Sequence, residues 1–573
     1  MSEHIQIFMQ SDGFQELIFW LGFLFFNFSL FAFNYFINIK EADFIPLKQL
    51  LTKGRRGIFI SLNADFFRFS IDLSILILLV RYNIISSGMS LIVGYYAFLL
   101  IFNIYHYSFN KIYQISPIIL NDLRLLKNGA GILWDESKIK MILGISTLIL
   151  TTVTLSFFLS RYLEFTLTII PNQSTHIITT MYLVLFSTAL IRKGYGHNTE
   201  VWHRYLIHLL RLGRHFIASF QLFRAKNRFN FETLNLHRRL KVKFREKPNI
   251  YLLFIESYGS ILLKHPQLSK SYNKKFDEFT NALKKSKWEC KTNCSSSVSL
   301  VGPSWLAYTS VLFGNRVDTN FYYEYLLNEK RFNEFDTMTK MLQNHGYWSY
   351  NLNATKFKNG VNVPFKQMKE FYGIDQFILK DDIHYHGTKF GFTECPPDQF
   401  VLNYAYEYFL KKQSKPYVLF YLTKNSHTPF VTPDIVKNWN ELNNSPDLLI
   451  GNHFLQDPSL ENYSKAMDYQ LDFLQDFIIR NGKGNDIFML IGDHQPHVIS
   501  KISDGTETLV HVISRNEEFL SEFESYGFRD SLDSLENPVK HEALYSIFLR
   551  SFIKTYGEGN QKLPDYEPNG LQL

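Results

Sequence analysis

Cysteine is scarce in this chain: Cys290, Cys294 and Cys395 are the only three among 573 residues. So small a number excludes a disulfide-stapled scaffold and a thiolate zinc site. Cys290 and Cys294 are the one pair spaced to bridge, and they would do so only if that part of the chain is exported to an oxidising compartment. An excess of one charge is also lacking. The net charge of +7 is modest for this length, and no nucleic-acid motif accompanies it, so no nucleic-acid partner is expected. The first apolar run lacks a basic leader and a small-residue cleavage site, and it is too long for a signal peptide, so it is expected to stay as a span.

What is present divides the chain in two. The mean hydropathy of −0.10 is an average over a sharp split. Before residue 195 long runs of Phe, Leu, Ile and Tyr dominate; beyond 245 the sequence is that of a mixed globular domain. Five stretches (17–38, 69–86, 89–107, 141–160 and 176–192) approach the ~20 apolar residues that a bilayer requires, the second being weakest because of Asp72 and Arg81 near its ends. Residues 112–140 mix apolar and charged side chains, as interfacial helices do. The expected organisation is an α-helical transmembrane bundle of about five spans over 1–194, a basic amphipathic linker over 195–247, and an α/β domain over 248–573. The loop after the first span carries Lys48, Lys53, Arg55 and Arg56. The positive-inside rule would place that loop, and then the C-terminal half, in the cytoplasm.

In the C-terminal half three polar motifs each close an apolar run. Glu256 follows Asn249–Ile255, Ser304 lies in Gly302-Pro-Ser-Trp-Leu-Ala307, and Asp493-His494 follows Asp486–Gly492. Short continuous apolar runs suit buried parallel strands, and ligands bind at the C-terminal ends of such strands. A carboxylate, a hydroxyl and an Asp-His pair can surround one divalent metal, zinc or manganese by donor type, which activates the hydroxyl as a nucleophile. Each has a plainer reading: Glu256 as a solvated turn residue, Ser304 as a helix N-cap, Asp493-His494 as a polar turn, His427 as a hydrogen-bonded loop histidine. The combination is far more specific than any single motif.

The ordered set Phe254-Ile-Glu-Ser-Tyr258, Gly302-Pro-Ser-Trp-Leu-Ala-Tyr-Thr-Ser310 with Gly314, Asn425-Ser-His-Thr-Pro429 and Gly492-Asp-His-Gln-Pro496 resembles the sulfatase-like branch of the alkaline phosphatase superfamily. With the spans it is most similar to lipoteichoic acid synthases and lipid A phosphoethanolamine transferases. The resemblance implies an alkaline-phosphatase-like catalytic domain with one or two divalent ions held by Glu256, Ser304, Asp493 and His494. Ser304 is the implied nucleophile, preferred over Ser297, Ser299, Thr309 and Ser310 because Gly314 follows it by ten residues. His427 is the implied phosphate-binding histidine, and His511 a further metal or phosphate contact. It also implies a membrane phospholipid donor, an envelope glycan or lipid acceptor, and a catalytic domain on the periplasmic or extracellular side of the cytoplasmic membrane, against the charge count. The chain departs from the family in three ways. Ser304 stands where the membrane transferases usually have threonine. Trp305-Leu-Ala-Tyr308 lacks the Pro and Arg of formylglycine maturation. Residues 350–360 lack the Trp-and-Arg head-group motif of lipoteichoic acid synthases. The alternative is a hydrolase using the same residues, with a non-catalytic membrane scaffold a remoter one.

Overall fold

The computed structural model describes residues 11–37, 69–113, 117–123, 138–194, 205–225, 242–355, 363–391, 394–451, 459–535 and 537–571. Of the expected interfacial helices over 112–140, residues 112–113, 117–123 and 138–140 are described, and of the linker over 195–247, residues 205–225 and 242–247; the rest of both lies outside the described residues. The chain forms two compact units, one from residues 1–111, 115–119 and 133–220, the other from 112–114, 120–132 and 221–573.

The first unit contains helices α1 (Asp12–Ile37), α2 (Ile71–Arg81), α3 (Met89–Tyr113), α4 (Lys138–Thr168), α5 (Gln173–Gly194) and α6 (His208–Ala225), with a two-residue parallel pairing of β1 (Phe69–Ser70) and β2 (Tyr205–Leu206). Among the described residues three helices are long and apolar enough to cross a membrane: Asp12–Phe33 in α1, Met89–Asn110 in α3, and α4. At about 1.5 Å per residue, the 31 residues of α4 exceed the bilayer core, and Ile142, Leu150 and Phe157 on it are exposed.

The expected span over 69–86 is a shorter object. α2 has 11 residues, about 16 Å of helix, roughly half a bilayer core. Ser70 starts it by accepting the Leu73 N–H, and Asn83, at φ +55°, follows its end in the left-handed region. Buried Arg81 is paired with Glu16, as a charge inside an apolar bundle must be. α5 has 22 residues, but Gln173, Ser174, Thr175, His176, Thr179 and Thr180 thin its apolar run.

The second unit is built on an eight-stranded sheet. Its strands are β3 (Ile250–Ile255), β4 (Glu289–Ser296), β5 (Trp348–Asn353), β6 (Gln376–Leu379), β8 (Tyr417–Leu422), β10 (Ile487–Gly492), β11 (Glu507–Ser514) and β12 (Val539–Lys540). Short β7 (Lys389–Phe390) and β9 (Leu449–Ile450) pair separately. The sheet order is β12-β4-β11-β10-β3-β8-β5-β6. The run β10-β3-β8-β5-β6 is parallel, whereas β11 is antiparallel to both β10 and β4. The C-terminal ends of β3, β4, β8 and β10 therefore share one edge.

The central strands are buried on both faces, which is why they read as unbroken apolar runs. Ile250, Leu252 and Phe254 pack into one core with α8 (Ser304–Phe313) and α11 (Ala543–Tyr556). Tyr251, Leu253 and Ile255 pack into the other with α7 (Ser269–Lys285), α9 (Asp398–Tyr408) and α10 (Leu460–Asn481). Cys290 and Cys294 both lie on β4, so four residues, or about 13 Å of extended chain, separate them. That is beyond disulfide reach, and all three cysteines are free thiols.

Gly492 ends β10 where a Cβ would stand 2.2 Å from the Tyr258 carbonyl oxygen and 2.9 Å from Thr508 Cβ. Backbone on one side and a buried strand on the other leave nothing to yield. Gly492→Ala is expected to cost about 1–3 kcal/mol, read as a lower unfolding temperature of the full chain in detergent. An unchanged temperature would contradict this packing.

Candidate metal and nucleophile site

The register of β3 against β10 sets Ile255 beside Gly492, so Glu256 and Asp493 leave the sheet as neighbours. The Glu256 N–H donates to Thr423 Oγ1 at 3.2 Å, and Ser426 Oγ donates to the Glu256 carbonyl at 2.7 Å, which ties the end of β3 to the loop after β8. Ser257 then turns the chain at φ +61°, a conformation that costs a non-glycine residue about 1 kcal/mol or more. It is held there because its N–H donates to Asp493 Oδ1 at 2.8 Å and Tyr463 Oη donates to its carbonyl at 2.8 Å.

Asp493 Oδ1 also accepts the His494 N–H at 2.7 Å. Asp493 Oδ2 is buried with no hydrogen-bond partner and lies 3.4 Å from His494 Nε2. Glu256 Oε1 lies 3.4 Å from the same nitrogen. The Gln495 carbonyl, 2.8 Å from His494 Nδ1, assigns the ring proton to Nδ1 and leaves a lone pair on Nε2. A lone pair facing two carboxylate oxygens is repulsive unless a proton or a cation stands between them. One ligand atom from each of Glu256, Asp493 and His494 lies within 4.8 Å of the others. The orphaned carboxylate oxygen and the inward-facing imidazole fit a divalent cation, and oxygen and nitrogen donors without thiolate suit zinc or manganese.

The electrostatics agree. Burial pushes Asp493 up, and the Glu256 carboxylate adds to it, to about 7. Burial acts on Glu256 in the same sense, but the charges of His427, His494 and Lys424 outweigh it and hold Glu256 below its ordinary value. Burial lowers His494, and the two carboxylates more than reverse this.

Ser304 opens α8, which ends at Gly314 with φ +72°, a left-handed cap where a Cβ would meet the Tyr545 ring at 2.6 Å. Ser304 Oγ donates to Glu256 Oε2 at 3.2 Å and lies 3.4 Å from His494 Nε2. The other hydroxyls considered are turned elsewhere. Ser297 donates to the Asp493 carbonyl, Ser310 to the Leu306 carbonyl, and Thr309 meets Tyr372 Oη; Ser299 Oγ is buried without a partner.

His427 sits half-buried in the loop after β8, its Nδ1 2.8 Å from the Thr428 carbonyl. Burial lowers its pKa while Glu256 opposes the shift, which sets the ring beside the cluster. His511 does not join it. Its Nε2 meets Tyr258 Oη at 2.9 Å, its Nδ1 meets Thr292 Oγ1 at 2.7 Å, and burial holds it neutral, down at about 3. With both nitrogens engaged inside the core, His511 stands on β11 apart from the cluster, where the sequence had offered it as a metal or phosphate contact.

Three site-building residues escape the sequence reading. Asp398, at the start of α9, accepts the Lys424 and Asn425 N–H groups at 2.8–3.0 Å, Tyr421 Oη at 2.5 Å and Gln470 Nε2 at 2.9 Å, fixing the His427 loop. Its place after Pro396-Pro397 is a helix-start signal, the only trace in the sequence. Gln495 donates to the Glu507 carbonyl and accepts the Ile261 N–H, bracing the turn after His494. His541 lies 3.2 Å from the Gly492 carbonyl and 2.9 Å from Ser295 Oγ, supporting the site from beneath.

A parallel-centred α/β sheet thus carries carboxylates, an imidazole and a hydroxyl together at one edge. Residues 279–511 match the Sulfatase family model, and the segment includes Ser304, His427, Asp493 and His494. No curated protein matches the chain. Among solved structures it is similar to the integral membrane lipooligosaccharide phosphoethanolamine transferase A of Neisseria meningitidis (12% identity, 93% of this chain and 94% of that one, TM-score 0.43). It is also similar to the lipoteichoic acid synthase LtaP of Listeria monocytogenes (16% identity, 50% and 71%, TM-score 0.34). A third is the phosphoglycerol transferase GacH of Streptococcus pyogenes in complex with sn-glycerol-1-phosphate (13% identity, 61% and 88%, TM-score 0.33).

Because Asp493 is pushed up to about 7, metal entry must displace a proton near neutral pH. Calorimetric titration of zinc into the metal-stripped protein, repeated in buffers of different ionisation enthalpy, is expected to show release of about one proton. Affinity should fall as pH drops from 8 to 6, by up to about tenfold per unit. Asp493→Asn should weaken binding strongly and reduce that release; pH-independent affinity in the native protein would contradict the ligand set.

Proposed function

We propose that the protein transfers a phospho-head-group, phosphoethanolamine or phosphoglycerol, from a membrane phospholipid to a cell-envelope glycan or lipid acceptor. The carrying observation is the direction of the Ser304 hydroxyl. Oγ points into the donor set, 3.2 Å from Glu256 Oε2 and 3.4 Å from His494 Nε2, and not to a backbone carbonyl. A divalent ion held by Glu256, Asp493, His494 and Ser304 supplies Lewis-acid stabilisation of the serine oxyanion. The positive end of the α8 dipole favours the same charge.

Ser304 Oγ forms the bond to the lipid phosphorus as the bond from phosphorus to the diacylglycerol oxygen breaks. The serine proton goes to solvent, and diacylglycerol leaves with a proton from water. His427, with Nδ1 engaged by the Thr428 carbonyl, presents Nε2. An arriving phosphodiester anion raises its pKa, and the protonated ring then donates to a phosphoryl oxygen. The acceptor hydroxyl displaces Ser304 in a second in-line step and regenerates the serine.

In this reading residues 1–194 anchor the enzyme with five spans, in which α2 and α5 join the three helices of span length. Residues 195–247 are the basic linker, and residues 248–573 work outside the cytoplasmic membrane. A lipid donor accounts for the anchor.

Incubation of the purified chain with mixed phospholipids, followed by intact-mass analysis, is expected to show an adduct whose mass names the transferred group. Ser304→Ala should lose the adduct and all turnover while its unfolding temperature stays within the range of a surface substitution. An adduct persisting in Ser304→Ala would overturn the nucleophile. Mass-tagged head group found only free in solution, with no labelled envelope polymer, would favour hydrolysis.

A further inference from the structure

At the edge of the sheet opposite the candidate site, a cavity of about 340 Å³ opens between Asn249, before β3, and Pro416-Tyr417, at the start of β8. Six-residue strands separate the two edges, about 20 Å, so this cavity shares no residue with the nucleophile. Its lining includes Lys247, Lys411, Lys415 and Lys483 and no acidic side chain.

Aromatic rings hold two of the ammonium groups. Lys415 Nζ lies 5.5 Å from the Trp348 ring centre, and Lys483 Nζ lies 5.7 Å from that of Tyr406. Cation–π contacts of this kind restrict a lysine while leaving its charge available. Among the described residues Lys411 pairs with Glu407 at 2.9 Å, whereas Lys247, Lys415 and Lys483 make no ion pair. The nearest buried carboxylate of this edge, Asp486, spends Oδ1 on the Asn249 N–H and side-chain amide and Oδ2 on the Lys483 N–H. Lysine ammonium groups crowded around one concavity repel each other, and the arrangement is relieved by an anion carrying more than one charge. The volume is that of a small-ligand site.

We propose that this cavity is a second binding site, remote from Ser304, for a multiply charged phosphate compound, of the class of oligophosphates and phosphorylated saccharides. The site holds such an anion through Lys247, Lys415 and Lys483 and performs no chemistry on it. This inference is independent of the transferase reading.

The test uses the full chain in detergent, stripped of metal and carrying Glu256→Gln and Asp493→Asn, so that the Ser304 edge cannot bind phosphate through a cation. Calorimetry with inorganic tripolyphosphate, glucose 6-phosphate and neutral glucose is the readout. Tripolyphosphate should bind with an affinity that falls as salt rises, glucose 6-phosphate more weakly, and glucose not at all. Lys247→Ala, Lys415→Ala and Lys483→Ala together should weaken tripolyphosphate by about tenfold or more. In an otherwise native chain the three substitutions should leave the unfolding temperature and the Ser304 adduct unchanged, since these lysines are exposed. The proposal is overturned by no tripolyphosphate binding in the metal-stripped chain, by equal binding in the triple variant, or by glucose binding as well as its phosphate.

Discussion

Two carboxylates are forced together in a place with almost no water. Parallel pairing of β3 with β10 puts Ile255 beside Gly492, and the next residues, Glu256 and Asp493, are both buried. Two adjacent anions in low dielectric cannot persist without compensation. The local structure is organised around that constraint. Ser257 adopts a left-handed turn to donate its N–H to Asp493, the His494 N–H is bent back to the same oxygen, and the His494 ring turns its lone pair inward. The remaining oxygen, Asp493 Oδ2, is buried without a hydrogen-bond donor. Ser304 reaches the same point from another element, at the head of α8.

The same constraint separates positioning from chemistry. The loop carrying His427 is fastened by Asp398, a buried carboxylate with four donors, and by Ser426 bonded to the Glu256 carbonyl. The turn after His494 is fastened by Gln495. These groups act through others, holding an imidazole or a carboxylate where a phosphate or a cation can meet it. Burial of the whole cluster strengthens every such contact and raises the cost of leaving any of them unmade.

Much of this was legible in the sequence because it lies in local patterns. Unbroken apolar runs ending in Glu256 or in Gly492-Asp-His494 announce buried strands with polar ends, and Gly314 announces the left-handed end of α8. What was not legible depends on tertiary contacts. His511 has the surroundings of a functional histidine in sequence, yet Tyr258 and Thr292 absorb both its nitrogens. Asp398 shows only as a helix start, because its donors come from residues 421–425 and 470. The helix within the span expected over 69–86 is shorter than its apolar content suggests, because Ser70 caps it and the Arg81 pairing with Glu16 accompanies its end. Cys290 and Cys294 look bridgeable until extended β4 separates them.

The central claim is that Glu256, Asp493, His494 and Ser304 converge on one divalent ion. X-ray absorption at the zinc edge, on the zinc-loaded chain, tests it most directly. The account predicts a first shell of oxygen and nitrogen near about 2.0 Å, with the scattering of one imidazole and no sulfur. That shell should lose an oxygen neighbour or fail to load in Asp493→Asn. A sulfur neighbour near about 2.3 Å, two or more imidazoles, or a shell indifferent to Asp493→Asn would contradict it.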